Sequence, residues 1–336
     1  MSDKHVVLAY SGGLDTSFCV VWLREQGYKV TTVTVNTGGF DAAELHRIEA
    51  LSPRLGASAH VTVDARAGLF DRYLRYLVFG NVLRGGTYPL SVSAERVCQA
   101  ERVVEVARSV GATALAHGST GAGNDQVRFD VAFHVLAPNL ELVTPIRALA
   151  LSRAAEVAYL AEHGFEFPSR TRDYSVNEGM WGASVGGRET LESWPGLPDA
   201  EYPGGAVAAP EPRELAVAFE QGVPSSLNGA SLQPVALIEE LNALGRKYGI
   251  GRGVHLGDTV LGIKGRVGFE APAAHLLVGA HRELEKLVLT GKQLFWKETL
   301  GNLYGSRSLR RPAPLSPAGS SMRSRLTTSS KTRTGA

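Results

Sequence analysis

A short segment near the start of the chain, YSGGLDTS at residues 10–17, carries residue types suited to binding phosphate. It follows the apolar run VVLA, which is typical of a strand that is covered on both faces. Gly12 and Gly13 permit positive φ and a close approach of main chain to a ligand, and Thr16 and Ser17 open a predicted helix. Because the N–H groups at a helix N-terminus attract phosphate, the segment favours phosphate binding, although it would equally make a well-capped turn.

A second segment with chemical potential is AHGSTGAGNDQVRFD at residues 116–130. Here a predicted strand leads into a glycine-rich loop that carries Asn124, Asp125 and Arg128. Arginine can clamp a carboxylate and aspartate can accept from an ammonium, although Gly, Asn and Asp are also ordinary turn residues. Because loops on rigid scaffolds often carry binding residues, we predict an amino-acid-binding edge. His117 has the chemistry of a general base or of a structural residue, and we leave it out of the predicted catalytic set.

Strands and helices alternate through the first half of the chain. After the first strand we predict the strands KVTTVTVN, AHVTVD and ATALAHG, with helices at AAELHRIEALSPRLG and at residues 101–110. This alternation predicts an α/β fold with a doubly wound parallel sheet and ligands at the carboxyl ends of its strands. Further along we predict an exposed Gly/Pro-rich loop at 194–212, the helix PVALIEELNALGRKYG, the strand TVLGIKG and a long helix from about Ala273.

The composition is that of an ordinary enzyme with one large or two ordinary domains. The chain has 336 residues, of which 44% are hydrophobic and 20% are charged. No apolar run approaches the roughly 20 residues that span a bilayer, and MSDK leads directly into the first strand, so we expect a cytoplasmic protein. Cys19 and Cys98 are too few and too far apart for a disulfide framework or a zinc site, and we expect both in the core.

The net charge of +2 is unevenly distributed along the chain. Residues 306–336 contain seven basic residues and no acid, so the remaining body has 28 basic and 33 acidic residues. An acidic body without a basic, aromatic-studded stripe argues against nucleic acid as a partner.

The loop sequence identifies a family. Its spacing is neither that of a Walker A loop nor that of Gly-x-Gly-x-x-Gly. It resembles the Ser-Gly-Gly-x-Asp loop of the N-type ATP pyrophosphatases and, in the form Tyr10–Ser17, that of the argininosuccinate synthases. Six further segments resemble segments of the argininosuccinate synthases and occur in the same order along the chain. They are GTYPLSVSAER (86–96), residues 116–130, DYSVNEGMWGASVGG (173–187), FEQGVPSSLNG (219–229), YGIGR (248–252) and KQLFWKETLGNLYG (292–305).

The resemblance runs from residue 5 to about residue 305 and implies a fold and a domain organisation. It implies a nucleotide-binding domain at residues 1–165 with the sheet of the adenine nucleotide α-hydrolases. An α+β synthetase and multimerisation domain would follow at residues 166–305. Residues 306–336 depart from the family pattern, are rich in Ser and Arg, and are predicted to be a disordered tail.

The activity that the resemblance implies is that of an ATP-dependent carbon–nitrogen ligase in arginine biosynthesis. The ureido oxygen of citrulline would attack the α-phosphate of ATP, and the aspartate amine would displace AMP from the resulting citrullyl-AMP. Mg²⁺ would neutralise the leaving pyrophosphate. Three alternatives stay open: an adenylating ligase for another ureido or carboxylate acceptor, a tRNA-thiolating relative, and a non-catalytic nucleotide-binding relative.

The resemblance also assigns site residues position by position. Nucleotide contacts fall on Ala9, Tyr10, Ser11, Gly12, Gly13, Leu14, Asp15, Thr16, Ser17, Val35 and Gly118. Aspartate contacts fall on Thr120, Asn124 and Asp125. Citrulline contacts fall on Tyr88, Ser93, Asn124, Arg128, Ser175 and Ser184. Ser11 and Asp15 are the predicted catalytic residues, and no metal site made of protein ligands alone is predicted. An acid beside a triphosphate is repelled unless a cation intervenes, so we predict that Asp15 helps to hold Mg²⁺ or to orient the pyrophosphate.

Four positions depart from the family pattern. Gly257 and Phe269 stand where a glutamate and a tyrosine usually meet citrulline, and Val92 and Ala122 replace a threonine and a lysine. Loss of a charged partner and of a hydroxyl partner together costs on the order of a hundredfold in affinity. We therefore expect citrulline to bind weakly by its amino end, or a related ureido acid to be the acceptor. The alternative is compensation by a neighbour such as Asp258.

The resemblance implies a homo-oligomer as well. In the family a longer C-terminal arm wraps a neighbouring subunit in a homotetramer. Because residues 306–336 differ from such an arm, we expect the tetramer to be weakened or lost.

Overall fold

The computed structural model describes residues 4–121, 124–167, 174–208, 211–259, 262 and 264–310, the last four of these by their backbone. The chain forms two compact units that interleave along the sequence. The first comprises Met1–Arg66, Glu95–Ser175 and Asp258–Lys264, and the second comprises Ala67–Ala94, Val176–Gly257 and Gly265–Ala336. A single boundary near residue 165 therefore differs from the compact units, because the chain leaves the first unit after Arg66 and returns to it at Glu95.

The first unit is built on a five-stranded parallel sheet. Its strands are β1 (His5–Ala9), β2 (Lys29–Asn36), β3 (Ala59–Asp64), β4 (Ala114–His117) and β5 (Glu141–Val143). Their order is β3-β2-β1-β4-β5, with parallel pairing throughout. The winding direction therefore reverses between β1 and β4, and the predicted doubly wound sheet is confirmed.

Eight helices lie in the described part of the first half of the chain. They are α1 (Leu14–Glu25), α2 (Ala42–Arg54), α3 (Arg66–Leu69), α4 (Arg75–Phe79), α5 (Ser93–Ser109), α6 (Asn124–Leu136), α7 (Pro145–Leu149) and α8 (Arg153–Glu162), with a π-helical turn at Phe70–Leu74. The predicted β2, β3, β4 and α2 agree with the structure to within two residues. In contrast, α5 begins at Ser93, eight residues before the predicted start.

The core of the first unit forms around its central strand. Val6, Val7 and Leu8 of β1 are fully buried, as expected for a strand covered on both faces. Phe18 and Cys19 of α1 belong to the same apolar cluster. Cys19 and Cys98 are both free and buried, so the prediction that they are core residues is confirmed.

The second unit contains two antiparallel sheets. The remaining strands are β6 (Tyr174–Gly179), β7 (Gly182–Gly187), β8 (Val217–Glu220), β9 (Val223–Leu227), β10 (Ala230–Ser231), β11 (Arg252–Asp258) and β12 (Lys264–Glu270). One sheet has the order β10-β9-β8 and the other β11-β12-β7-β6. The remaining helices are α9 (Arg188–Leu191), α10 (Pro234–Lys247), α11 (Pro272–Val288) and α12 (Gly291–Arg310), with a 3-10 turn at Asp199–Glu201.

Two predictions for the second half of the chain can be compared in part with the described residues. Of the strand predicted at residues 259–265, Lys264 and Gly265 begin β12, Thr259 lies just after β11, and residues 260, 261 and 263 lie outside the described residues. The helix α12 continues to Arg310, which is five residues into the tail predicted from Ser306. No glycine or proline occurs between Ser306 and Arg310 to end the helix. Residues 311–336 lie outside the described residues.

None of the helices in the described part of the chain combines the length and the apolar character needed to cross a bilayer.

Candidate functional site

The predicted phosphate loop connects β1 to α1 in the first unit. Gly13 occupies the N-cap of α1 in an extended conformation, and no side chain caps the helix. The Thr16 hydroxyl donates to the Gly13 carbonyl at 3.3 Å and lies 3.2 Å from the exposed Ser11 hydroxyl. The positive end of the α1 dipole and two hydroxyls therefore lie together at the carboxyl end of β1, which is an arrangement suited to an anion.

Two glycines determine the shape of this loop. Gly12 has φ +68°, and a Cβ there would lie 2.8 Å from Cγ1 of Ile48. Gly118 follows β4, and a Cβ there would lie 3.2 Å from Cγ2 of Thr16 and 3.3 Å from the Thr16 nitrogen. The end of β4 therefore packs directly against the loop after β1, at the point where the winding direction of the sheet reverses.

Asp15 has two partners from α8 that the sequence analysis did not identify. Nη1 of Arg153 lies 3.9 Å from Oδ1 of Asp15. Glu156 is buried, and its carboxyl group lies close enough to Asp15 to feel its charge. Burial, reinforced by the Asp15 charge, raises the pKa of Glu156 well above its usual range. A protonated Glu156 can donate to the Asp15 carboxylate, so the two groups coexist without repulsion.

The loop offers limited protein ligands for a cation. Within the described ranges, no group of three or more His, Cys, Asp or Glu side chains gathers in the manner of a protein-only metal site. Mg²⁺ commonly binds to one or two carboxylates together with substrate phosphates. A lone Asp15 beside a phosphate site therefore fits Mg²⁺ that arrives with a nucleotide.

Five of the predicted nucleotide positions are buried: Tyr10, Gly12, Ser17, Val35 and Gly118. Tyr10 is 4% exposed, Val35 is 5% exposed and Ser17 is fully buried. A phosphate contact from the Ser17 hydroxyl stays a prediction, since that hydroxyl is enclosed beside Tyr10 in this structure.

The predicted amino-acid-binding loop is organised around Asp125. Its carboxylate pairs with Nε of Arg96 at 2.9 Å and with Nη1 of Arg128 at 3.0 Å. Burial by itself would raise the pKa of Asp125, but the two guanidinium groups outweigh it and hold the pKa below its usual range. Thr120 is exposed and Asn124 begins α6, whereas Ala122 lies outside the described residues. Arg96 is the last residue of the segment GTYPLSVSAER. Only the packing of α5 against α6 shows that its partner is Asp125.

The geometry of His117 explains why a catalytic role is not needed for it. Its Nδ1 accepts from the Ser119 N–H at 3.2 Å, and its Nε2 donates to Oδ1 of Asp130 at 2.8 Å. The ring is 1% exposed and stacks on Phe129. Both nitrogens have hydrogen-bond partners inside the unit, so this histidine holds the strand end in place.

Of the six predicted citrulline positions, Tyr88, Ser93 and Ser184 belong to the second unit. Tyr88 is 7% exposed and its hydroxyl donates to the Ser91 carbonyl at 3.1 Å. The Ser184 hydroxyl lies 3.4 Å from the Ser91 hydroxyl. Ser93, which begins α5, is 2% exposed. Val92 between them has φ +69°, an unusual conformation for a β-branched residue, and such strain is often found at functional loops.

The remaining predicted positions are unevenly placed. Phe269 is 2% exposed and lies opposite Ser184 in the pairing of β12 with β7. Gly257 lies near the end of β11. Ser175 is exposed and is grouped with the first unit. The roles of these residues in binding stay predictions.

Comparison with known proteins gives consistent matches along the chain. Residues 5–166 match the family described as "Arginosuccinate synthase N-terminal HUP domain", and residues 174–335 match "Arginosuccinate synthase C-terminal domain". The second match therefore includes most of the segment that the sequence analysis set apart from the family.

Curated relatives carry the same description. The argininosuccinate synthase of Methanocaldococcus jannaschii is 40% identical over 307 residues, which cover 90% of this chain and 77% of the relative. That of Rubrobacter xylanophilus is 44% identical over 302 residues, which cover 88% and 73%. That of Hyperthermus butylicus is 41% identical over 304 residues, which cover 88% and 75%.

Proposed function

The chain belongs to the argininosuccinate synthase family, and we propose that it joins citrulline to aspartate with cleavage of ATP to AMP and pyrophosphate. As a member of this family it is an ATP-dependent carbon–nitrogen ligase. The observation that best supports the proposal is the uncapped N-terminus of α1 at the loop Ala9–Ser17, with Gly118 of the neighbouring strand packed against it.

The proposed reaction has two steps whose atoms balance. The ureido oxygen of citrulline attacks the α-phosphorus of ATP, the bond between the α-phosphorus and the bridging oxygen breaks, and pyrophosphate leaves. The aspartate nitrogen then attacks the ureido carbon, the bond from that carbon to the AMP oxygen breaks, and the nitrogen loses a proton. Positioning and neutralisation of negative charge would supply most of the rate enhancement.

The residues of the loop suit the first step. The N–H groups of the first turn of α1, with the hydroxyls of Ser11 and Thr16, would donate to phosphate oxygens. Arg153 places a positive charge beside Asp15 and would offset negative charge at the same end of the helix. Asp15 would hold Mg²⁺, which when bound neutralises the departing pyrophosphate.

The pair of guanidinium groups at Asp125 suits recognition of aspartate. Because Arg96 and Arg128 keep the pKa of Asp125 low, its carboxylate is ionised at neutral pH and accepts from an ammonium. The same guanidinium groups carry the donors that a substrate carboxylate needs. Thr120 and Asn124 precede Asp125 in the sequence by five residues and one residue, and they complete the proposed aspartate site.

We also propose that the chain assembles with copies of itself. Apolar side chains of α11 and α12 are exposed to solvent, with Leu287 at 84%, Phe295 at 64% and Trp296 at 63%. An exposed apolar face of this kind favours a second protein surface, and the family supplies the expectation of a homotetramer. A cytoplasmic location remains part of the same proposal.

The proposed function is tested by pyrophosphate release from ATP with citrulline and aspartate, each omitted in turn. We expect release to depend on citrulline, because the first step needs the ureido oxygen, and argininosuccinate to form only when both amino acids are present. Release without citrulline, or no release with all substrates present, would contradict the proposal. When variants of the phosphate loop are measured in the same assay, Asp41→Asn is a suitable control, because it affects only the N-cap of α2.

A further inference from the structure

One face of the four-stranded sheet in the second unit carries an unusual group of side chains. Phe269 on β12 lies opposite Ser184 on β7. Gly253, His255 and Gly257 alternate along β11 and therefore share one face of that strand. A Cβ at Gly253 would lie 2.7 Å from Cζ of Phe269, so this face of β11 is continuous with the face that carries Phe269 and Ser184.

His255 occupies the space above Gly257. A Cβ at Gly257 would lie 2.5 Å from Nε2 of His255, which is far closer than atoms can approach. The imidazole stacks on Tyr88, with ring centroids 4.7 Å apart and planes 14° apart. Its Nε2 is buried and has no hydrogen-bond partner among the described residues. Gly257 therefore admits the imidazole, and Tyr88 holds it in place.

The five described residues grouped here carry no negative charge. Among Tyr88, Ser184, His255, Gly257 and Phe269 no side chain is a carboxylate. Burial lowers the pKa of His255, and the positive charge of Arg84 lowers it further, so the imidazole is neutral at neutral pH. The ammonium group of an amino acid bound here would lie beside a neutral imidazole and would have no ionic partner in this group of residues.

We propose that His255 and Gly257 determine the acceptor specificity of this chain, and that together they make it indifferent to a free amino group on the ureido acid. The substrate class is then ureido acids with a free, masked or absent amine, of which citrulline is one. This inference rests on the proposed function and on the predicted contacts of Tyr88 and Ser184 with the acceptor. It goes further because it assigns acceptor specificity to His255, whose imidazole fills the space that a side chain at residue 257 would need.

The first test compares acceptors with the unmodified protein. Pyrophosphate release is measured with ATP, aspartate and one of citrulline, N-acetylcitrulline or δ-ureidovaleric acid. We expect kcat/KM for the three to agree within about tenfold, because an ionic partner for the ammonium would otherwise contribute about ten- to hundredfold. A preference for citrulline above about tenfold is what an ionic partner would give, and it would overturn the inference.

The second test changes the acceptor preference by substitution at residues 255 and 257. The double variant His255→Ala with Gly257→Glu provides a carboxylate and the space for it, so we expect its preference for citrulline over N-acetylcitrulline to rise about ten- to hundredfold. His255→Ala with Gly257→Gln has the same size without the charge and should show no such rise. Gly257→Glu alone should gain less, since its Cβ collides with the imidazole.

The outcomes separate the two proposals. If citrulline is used but only with its free amine, the inference fails and the proposed function stands. If the double variant folds, as judged by its thermal midpoint, and its preference does not change, His255 and Gly257 are not the determinants. If none of the three acceptors supports pyrophosphate release, the proposed function fails and the inference fails with it.

Discussion

Substitution of Gly118 by alanine is a direct test of how β4 supports the phosphate loop. The added Cβ would lie 3.2 Å from Cγ2 of Thr16 and 3.3 Å from both the Asp15 carbonyl carbon and the Thr16 nitrogen. Comfortable contacts between such atoms are about 3.5–4.0 Å, so the start of α1 must retreat by roughly 0.3–0.7 Å. Gly118 does not have a positive φ, and alanine therefore adds no backbone strain.

The size of the kinetic effect follows from this displacement. A misplacement of about 1 Å can cost about a hundredfold in rate. If the logarithm of the rate falls in proportion to the displacement, the retreat predicts a loss of roughly 4- to 25-fold in kcat/KM for ATP. The thermal midpoint should move little, because the crowded atoms belong to the first turn of α1, which is partly exposed and can shift.

The assay is pyrophosphate release at varied ATP with both amino acids saturating. Gly121→Ala is the matched control, since it lies in the same loop and nothing is within 4 Å of its added Cβ. Full activity in Gly118→Ala, or an equal loss in Gly121→Ala, would show that contact between β4 and the loop does not set the geometry of the nucleotide site.

Three further predictions concern charge, pH and assembly. Asp15→Asn should lower kcat by about a hundredfold or more with the fold intact, and near-normal turnover at saturating Mg²⁺ would remove Asp15 from the proposed site. Burial, with a smaller effect from Lys297, lowers the pKa of His281 from 6.5 to about 4, so this neutral histidine contributes stability above pH 6.5 that is lost as the pH falls towards 4. Urea unfolding should show a loss of about 2–3 kcal/mol between pH 7 and pH 4.5 that is absent in His281→Gln, and equal pH profiles for the two proteins would contradict this. Light scattering should show an assembly smaller or weaker than a tetramer, and a stable tetramer that persists after deletion of residues 306–336 would refute the expected effect of the tail.

Local sequence signals predicted the first half of the fold well. β2 and β3 are runs rich in β-branched residues, and their bounds are those predicted. The glycines of the loop were also informative, because the positive φ of Gly12 admits few other residues. β11 was missed because Gly253 and Gly257 interrupt its alternation, and glycine within a strand usually weakens it.

The missed site residues depend on tertiary contacts. Arg153 and Glu156 follow no motif, and only the packing of α8 beside the start of α1 places them at Asp15. The stacking of His255 on Tyr88 joins residues far apart in the chain, so no local pattern predicts it. Residue types and spacing identify the chemistry of a loop, whereas the neighbours that tune it require the three-dimensional fold.

The strand order of the first sheet has a consequence for biosynthesis. β1 lies at the centre of the sheet, yet it is the first of the five strands to be translated. Val6 pairs with Ala114, which is 108 residues later in the chain. At typical rates of translation, one edge of β1 therefore stays unpaired for about 5–20 s. An apolar strand with an open edge is a template for pairing with other nascent chains. We therefore expect the yield of folded protein to depend on chaperones that shield the ribosome-bound chain until β4 has emerged.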